Sequence, residues 1–387
     1  MKKLILLVPV LLLMTGCWNY RELNELAITT SLAIDITDEG DYKVSLLIAN
    51  GKNTQTNNRE GQSQTVVYSG VGETISRAFK EISLQIPKIP YIGHLGVVVV
   101  SEDVAKEGMR HILDYLLRNP ESVKRFYLIL AKDDDAEEVI KVLSPLETFP
   151  GQSISNNIEL SERHEAISTS VTYSKFVENL LKKGKDPILP TLTIKGKTEK
   201  GSEDKILESA DIKTRVKLDT IAIFKDDKLV GYADKTESRG INIITNQIKE
   251  MIIQYECDEG GYIVTDLTNM NTTLTPHLKD DKLSVTINVT TNGAIREVTC
   301  NKDIRKENVI EEIEKETKKK VKSKLKKAIE ISKEYEADIF GIGNLFYKKY
   351  PNYFENIEDW YSVYPDVTFD YNLDIRVSTK GSVQKTI

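Results

Sequence analysis

The chain has 387 residues, 40% hydrophobic and 29% charged, enough for more than one packed core at roughly 100–200 residues per domain. Its formal net charge of −6 argues against a broad electrostatic grip on nucleic acid, so no nucleic-acid partner is expected. The one long apolar run lies at the N-terminus, which excludes a polytopic membrane protein, and four His with three Cys leave little material for a metal centre.

Lys2 and Lys3 precede an apolar run from Leu4 to Met14, broken only by Pro9. The run is too short for a permanent span, and its flanks are those of a secretory signal. Thr15 and Gly16 then lead into Cys17. Small residues before a cysteine read as a bacterial lipobox, with Met14 where Leu is usual. On this reading residues 1–16 are removed and Cys17 is the lipidation site and new N-terminus. Acyl chains such as palmitate then hold the protein on the outer face of the cell membrane, at about 0.8 kcal/mol per buried CH₂. The alternative is an ordinary signal peptide ending at a chance cysteine. Two further cysteines remain, Cys257 and Cys300. The compartment permits disulfides, so they are either paired or two small buried apolar side chains.

Residues 18–26 follow the anchor directly. Trp18 and Tyr20 suit the headgroup interface, or else cover the first hydrophobic cluster. With Arg21 and Glu22 they form the candidate contact with a partner or membrane, because aromatic and Arg side chains are the usual energetic anchors of interfaces. Residues 27–36 and 42–49 predict an antiparallel hairpin about the turn Thr37–Asp41. Residues 51–64 are polar and predict an exposed loop. A strand follows over 65–70. Ile75, Ala78, Phe79, Ile82 and Ile86 then mark one helix face. Residues 95–100 predict a buried strand, and 101–118 a helix with Ile112, Leu113, Leu116 and Leu117 inward. A third strand over 126–131 and a helix over 135–143, ended by Pro145, complete the alternation. About 65–145 thus reads as a βαβαβα unit, a partly parallel sheet with helices packed on it. Residues 150–170 read as a polar stretch, 173–181 as an amphipathic helix and 188–194 as a strand.

Residues 195–210 carry charge and glycine and read as a loop near a domain boundary. The expected division is an N-terminal α+β region over 17–200, of two small subdomains, and a C-terminal α+β domain over 208–387. In the latter, 219–224 and 228–233 predict a hairpin and 236–255 a helix. Alternation over 283–289 and 367–377 predicts strands of an antiparallel sheet with one wet face. A long helix over 305–337 carries a stripe of Ile310, Ile313, Val321, Leu325, Ala328 and Tyr335. Glu311–Glu316 precede Lys318–Lys327, an order that suits the helix dipole. The lysines read as a solvated face, with anionic lipid as the alternative contact. The fold class is α+β, a multi-domain lipoprotein.

The catalytic motifs fail one by one. His164 lacks the second His of a zinc-protease pair, and His94, His111 and His277 are dispersed. Gly70-Val71-Gly72 lacks the rest of a phosphate loop and reads as a plain turn into a helix. His94, between Ile92-Gly93 and Leu95-Gly96, reads as a hydrogen-bonded structural residue. Asp133, Asp134 and Asp135 read as a cap for the following helix rather than a cation site. No catalytic residue, cofactor or metal is assigned, and no enzyme is expected.

Several segments together resemble the Ger(x)C family, the lipoprotein C subunits of spore nutrient-germinant receptors. They are Gly16-Cys17-Trp18 with Arg21-Glu22-Leu23-Asn24, Ile92-Gly93-His94-Leu95 with Arg118-Asn119-Pro120, and Ala222 to Gly231. They continue with Ala337 to Gly343, Tyr350-Pro351 and Tyr364-Pro365-Asp366-Val367, and Cys257 and Cys300 sit where the family commonly has cysteines. The resemblance implies a non-enzymatic receptor subunit in the inner membrane of a spore. It implies integral membrane A and B subunits as partners, small nutrients as the trigger, and a structure of small α+β units. The alternative function is a solute-binding lipoprotein of a membrane transporter. That class has two similar lobes about a cleft, whereas the two halves here differ in pattern.

Overall fold

The computed structural model describes residues 21–50, 64–164, 166–197, 201–202 and 210–379. Leu26–Ile36 (β1) turns back into Tyr42–Ala49 (β2), with Ile36 opposite Tyr42, and Thr65–Gly72 (β3) adds an antiparallel strand beyond β2. On its other side β1 pairs in parallel with Ile89–Tyr91 (β4) and Val97–Ser101 (β5). Tyr127–Ala131 (β6) and Ile188–Lys195 (β7) continue in parallel. Arg215–Lys225 (β8) and Lys228–Tyr232 (β9) finish the sheet antiparallel. The order is β3-β2-β1-β5-β6-β7-β8-β9, with β4 beside β1.

Helices cover both faces: Ile75–Ser83 (α1), Glu102–Glu107 (α2), Arg110–Arg118 (α3), Ala136–Lys141 (α4), Pro150–His164 (α5) and Tyr173–Leu181 (α6). Leu32, Val98, Val100, Leu128 and Leu130 share one core with Ile82, Ile112 and Phe176. Ala33, Val97, Val99 and Ile129 share another with Val139, Ile140, Ile154 and Ile158. Central strands buried on both faces must be apolar at every position, which is why 97–100 is unbroken valine.

The expected hairpin, strands and helices appear, with instructive exceptions. The helix expected over 101–118 is split between α2 and α3, because Gly108 adopts φ +131°, a conformation closed to other residues. Leu117, expected inward, is exposed. Gly70–Gly72 lies inside β3, and the turn comes after it, where Thr74 caps α1 by accepting from the Arg77 amide. The polar stretch 150–170 holds α5, whose buried Ile154 and Ile158 are too few among Ser, Asn and Glu to show a stripe. Residues 51–63 of the expected loop lie outside the described residues.

The second sheet has the order β10-β11-β12-β13, formed by Met251–Glu256 (β10), Tyr262–Lys279 (β11), Lys282–Val298 (β12) and Thr368–Thr379 (β13). Lys235–Ile244 (α7) precedes it. Glu307–Glu334 (α8), Ile342–Lys349 (α9), Pro351–Phe354 (α10) and Trp360–Val363 (α11) connect β12 to β13. Three strands are antiparallel neighbours, but β13 runs parallel to β12, with Ser284 level with Thr368. The α8 crossover returns the chain to the end where β12 began, as parallel pairing requires.

The helix expected over 236–255 stops at Ile244. Met251, Ile253 and Tyr255 are buried while Ile252, Gln254 and Glu256 are exposed, a period of two hidden within an Ile-rich run. The hairpin expected to open the C-terminal domain instead extends the first sheet. The reason is burial on both sides of β8: Ala222 and Phe224 face the first core, Ile221 and Ile223 the second.

On α8, Ile313, Val321, Leu325 and Ala328 are buried, and two of its lysines pair locally, Lys318 with Glu314 and Lys319 with Glu316. Leu325 is fully buried, so Leu325→Ala should cost about 2–5 kcal/mol in chemical denaturation. Lys319→Ala, with a side chain 75% exposed, should stay within about 0.5 kcal/mol.

Candidate functional site

Two buried carboxylates join the sheets. Asp186 lies just before β7, and Asp338 just after α8. Eight residues after α8 ends, the chain starts α9, whose first amides have no partner within the helix. Asp338 supplies one. Its Oδ1 accepts from the Ile342 amide (2.8 Å), and its Oδ2 from the Gly343 amide (2.7 Å) and Trp360 Nε1 (3.0 Å). Asp186 Oδ2 accepts from the Asp338 amide at 2.7 Å, and the Asp186 amide donates to the Asp338 carbonyl at 2.9 Å. Asp186 Oδ1 accepts from the Asp226 amide (2.7 Å) and the Tyr361 hydroxyl (3.0 Å).

The β8–β9 turn carries the network onward to α3. Asp227 Oδ2 accepts from the Arg110 amide (3.0 Å), its Oδ1 from Arg110 Nε (3.1 Å), and Asp226 takes Arg110 Nη2 (2.6 Å). The backbones approach closely enough that a Cβ on Gly343 would lie 2.7 Å from the Trp360 ring and 2.8 Å from the Gly184 Cα. Burial pushes Asp338 up to about 7, against the pull of its three N–H donors. Burial raises Asp186 too, and lowers Lys185 to about 8. The acceptors of Asp186 and Asp338 are matched by donors, so the arrangement holds elements in place.

The other expected residues fall in separate places. Cys17, Trp18 and Tyr20 lie outside the described residues. Arg21 Nη1 is paired with Glu121 at 2.6 Å, and Glu22 accepts from Asn24 Nδ2 at 3.1 Å. Cys257 and Cys300, each buried, follow β10 and β12 and are joined by a disulfide with Cα atoms 6.5 Å apart. His94 is exposed and meets the Tyr91 ring edge-on at 5.8 Å; His277 sits 3.1 Å from Thr286 across β11 and β12. His111 lines an open groove of about 710 Å³ between α1 and α3, with Tyr42, Glu73, Tyr115 and Arg118. The side chain of His164 lies outside the description. Among the described residues, no cluster of His, Cys, Asp and Glu could hold a metal ion.

The expected aspartate cap of α4 is corrected. Asp135 occupies the cap position without a side-chain bond, and Asp134 Oδ2 instead accepts from the Ile194 amide at 2.7 Å. The cap comes from Asp35, a hundred residues upstream on β1, accepting from the Ala136 amide (2.7 Å) and the Glu137 amide (3.0 Å). Burial raises Asp35 to about 6. Burial also acts to raise Glu137, but ion pairs with Lys141 and Lys43 hold it at about 2. Only an Asp interrupting the apolar run 32–36 of β1 hinted at this.

Two outcomes follow. Asp338 is raised from 3.8 to about 7, so the folded chain binds more protons than the unfolded one across that window, and stability falls as pH rises through it. Asp338→Asn should flatten that part of the stability–pH curve measured by denaturant titration. The disulfide closes a separation of 43 residues, so Cys300→Ser should lower unfolding free energy by about 4 kcal/mol in the chain-entropy account. Recovery of both thiols free in peptide mapping of the native protein would remove the bond.

Residues 19–194 match the family described as the spore germination protein N-terminal domain, and residues 219–381 the spore germination B3/GerAC-like C-terminal family. Spore germination protein KC of Bacillus subtilis is 25% identical over 386 residues, spanning 97% of this chain and 95% of that protein. Spore germination protein B3 of the same organism is 22% identical, spanning 97% and 96%. The crystal structure of the GerBC protein superposes with a TM-score of 0.54 at 18% identity, over 89% of this chain and 96% of that one, so the fold is shared. The segments that meet at Asp186 and Asp338 are those quoted for the resemblance, Ala222 to Gly231 and Ala337 to Gly343, and the chain belongs to the Ger(x)C family of spore germination proteins.

Proposed function

We propose that the chain is the lipid-anchored C subunit of a spore germinant receptor. It acts without catalysis, through contacts with integral membrane A and B subunits, on the outer face of the spore's inner membrane. The carrying observation is the end-to-end likeness to spore germination proteins, joined to the lipobox at Cys17. Among the described residues no helix is long and apolar enough to cross a membrane, so attachment through Cys17 accounts for membrane residence. Anchoring raises the effective concentration at the partner surface, so modest interfaces suffice. The segment Trp18, Tyr20, Arg21 and Glu22 is the proposed contact, because it leaves the anchor at the bilayer surface. A solute-binding role fits less well: a nine-stranded mixed sheet and a four-stranded sheet are not two similar lobes, and a shared strand joins them.

Cys17→Ala should abolish fatty-acid labelling, release the protein from spore membranes and weaken nutrient-triggered germination. Affinity capture of the anchored protein should recover integral membrane subunits. The Trp18→Ala, Arg21→Ala variant should lower that yield with labelling intact. Labelling of the Cys17 variant at wild-type strength would refute the anchor, and capture without integral subunits would refute the receptor role.

A further inference from the structure

The edge of the fold from which the chain leads back to Cys17 carries exposed aliphatic side chains among a few polar ones. β1 and β4 run in parallel with Leu26 level with Ile89, so residues 23–25 and 86–88 come side by side ahead of them. An open groove of about 610 Å³ lies there, lined by Asn24, Glu25, Ile86, Pro87, Lys88 and Ile89. Leu23 is 71% exposed, Leu84 at the end of α1 is 73% exposed, and Ile89 is 41% exposed. One exposed leucine is ordinary, but here Ile89 lines the groove, Leu23 precedes its Asn24 and Leu84 lies two residues before its Ile86, so exposed aliphatic side chains gather along this edge. The ion pair of Arg21 with Glu121 fixes the start of the described chain beside it, on the loop that also exposes Val123.

We propose that this edge, with Leu23, Leu84 and Ile89 foremost, rests against the lipid headgroups of the membrane that holds the anchor. The inference rests on the lipidation of Cys17 proposed above. Chain length selects the occupant. Four peptide steps separate Cys17 from Arg21, a reach of at most about 14 Å. The headgroup layer itself takes roughly 5–8 Å of that, from the difference between hydrocarbon and total bilayer thickness. A folded partner of about 100 residues has a radius of gyration of about 13 Å, so none fits between the edge and the bilayer. The edge therefore faces the bilayer surface, where lipid rather than a soluble domain covers it. Aliphatic side chains enter the interface, while exposed Lys88 and Glu25 balance each other at the groove.

The test uses the full lipidated chain on protein-free vesicles of three parts phosphatidylcholine to one part phosphatidylglycerol. An environment-sensitive fluorophore is placed by Leu84→Cys, and separately by Ile89→Cys in case the first variant fails to fold. The reference position is Ile252→Cys on the second sheet, 39% exposed. Labels at 84 and 89 should shift to the blue and be quenched by brominated lipid several-fold more strongly than the label at 252. Equal quenching at all three positions in a protein that carries its acyl chains and binds vesicles would overturn the proposal and leave the anchor standing. A chain that carries no lipid and stays off the vesicles would overturn the anchor, and this proposal with it. Labels that become dry only when integral subunits are restored would make the edge a protein interface and overturn the lipid assignment.

Discussion

Asp186 and Asp338 each hold the other's backbone, and the arrangement of both sheets follows from that exchange. The Asp186 amide donates to the Asp338 carbonyl, and the Asp338 amide donates to the Asp186 carboxylate. Both side chains are deep enough that an unmatched oxygen would be costly, so every donor around them must be in place. Those donors come from the start of α9, from α11 and from the β8–β9 turn. A shift in any of these elements strands a buried acceptor. The same constraint explains the glycines at 184 and 343, where no side chain leaves room for the backbones to meet.

The shared strand makes the clasp consequential. Ile221 and Ile223 belong to the second core, while Ala222 and Phe224 belong to the first. Domains joined by a linker and a polar interface of ordinary size are free to move against each other. Here one strand has a face in each core, and the turn at its end is bonded to Asp186 on one side and Arg110 on the other. For the proposed role at a membrane this matters, because a contact made at one end keeps a fixed relation to the other. The buried carboxylates at Asp35, Glu137, Asp186 and Asp338 are occupied with amides, lysines, a tyrosine and a tryptophan.

Period and composition determined much of the chain. Alternation in 367–377, the valine run at 97–100 and the stripe of α8 each carry one unmistakable period, so strand and helix were legible there. The two cysteines stood out by residue type alone, as did the candidate lipid site at Cys17, which lies outside the described residues. Elements with mixed signals were not legible. α5 is mostly polar because much of its surface is wet, β10 hides in a run of isoleucines, and Gly108 breaks a pattern that otherwise continues.

Only the tertiary structure decided how the pieces join. Nothing local in Asp35 announces that it caps a helix a hundred residues away, because capping requires only a carboxylate in reach of two amides. The strand after the 195–210 stretch, β8, pairs back to β7, since two-sided burial needs a core on each side and only the assembled fold supplies the second. Likewise Asp186 and Asp338, 152 residues apart, are ordinary loop aspartates in the sequence, and become the junction because folding brings their amides and carboxylates into one dry place.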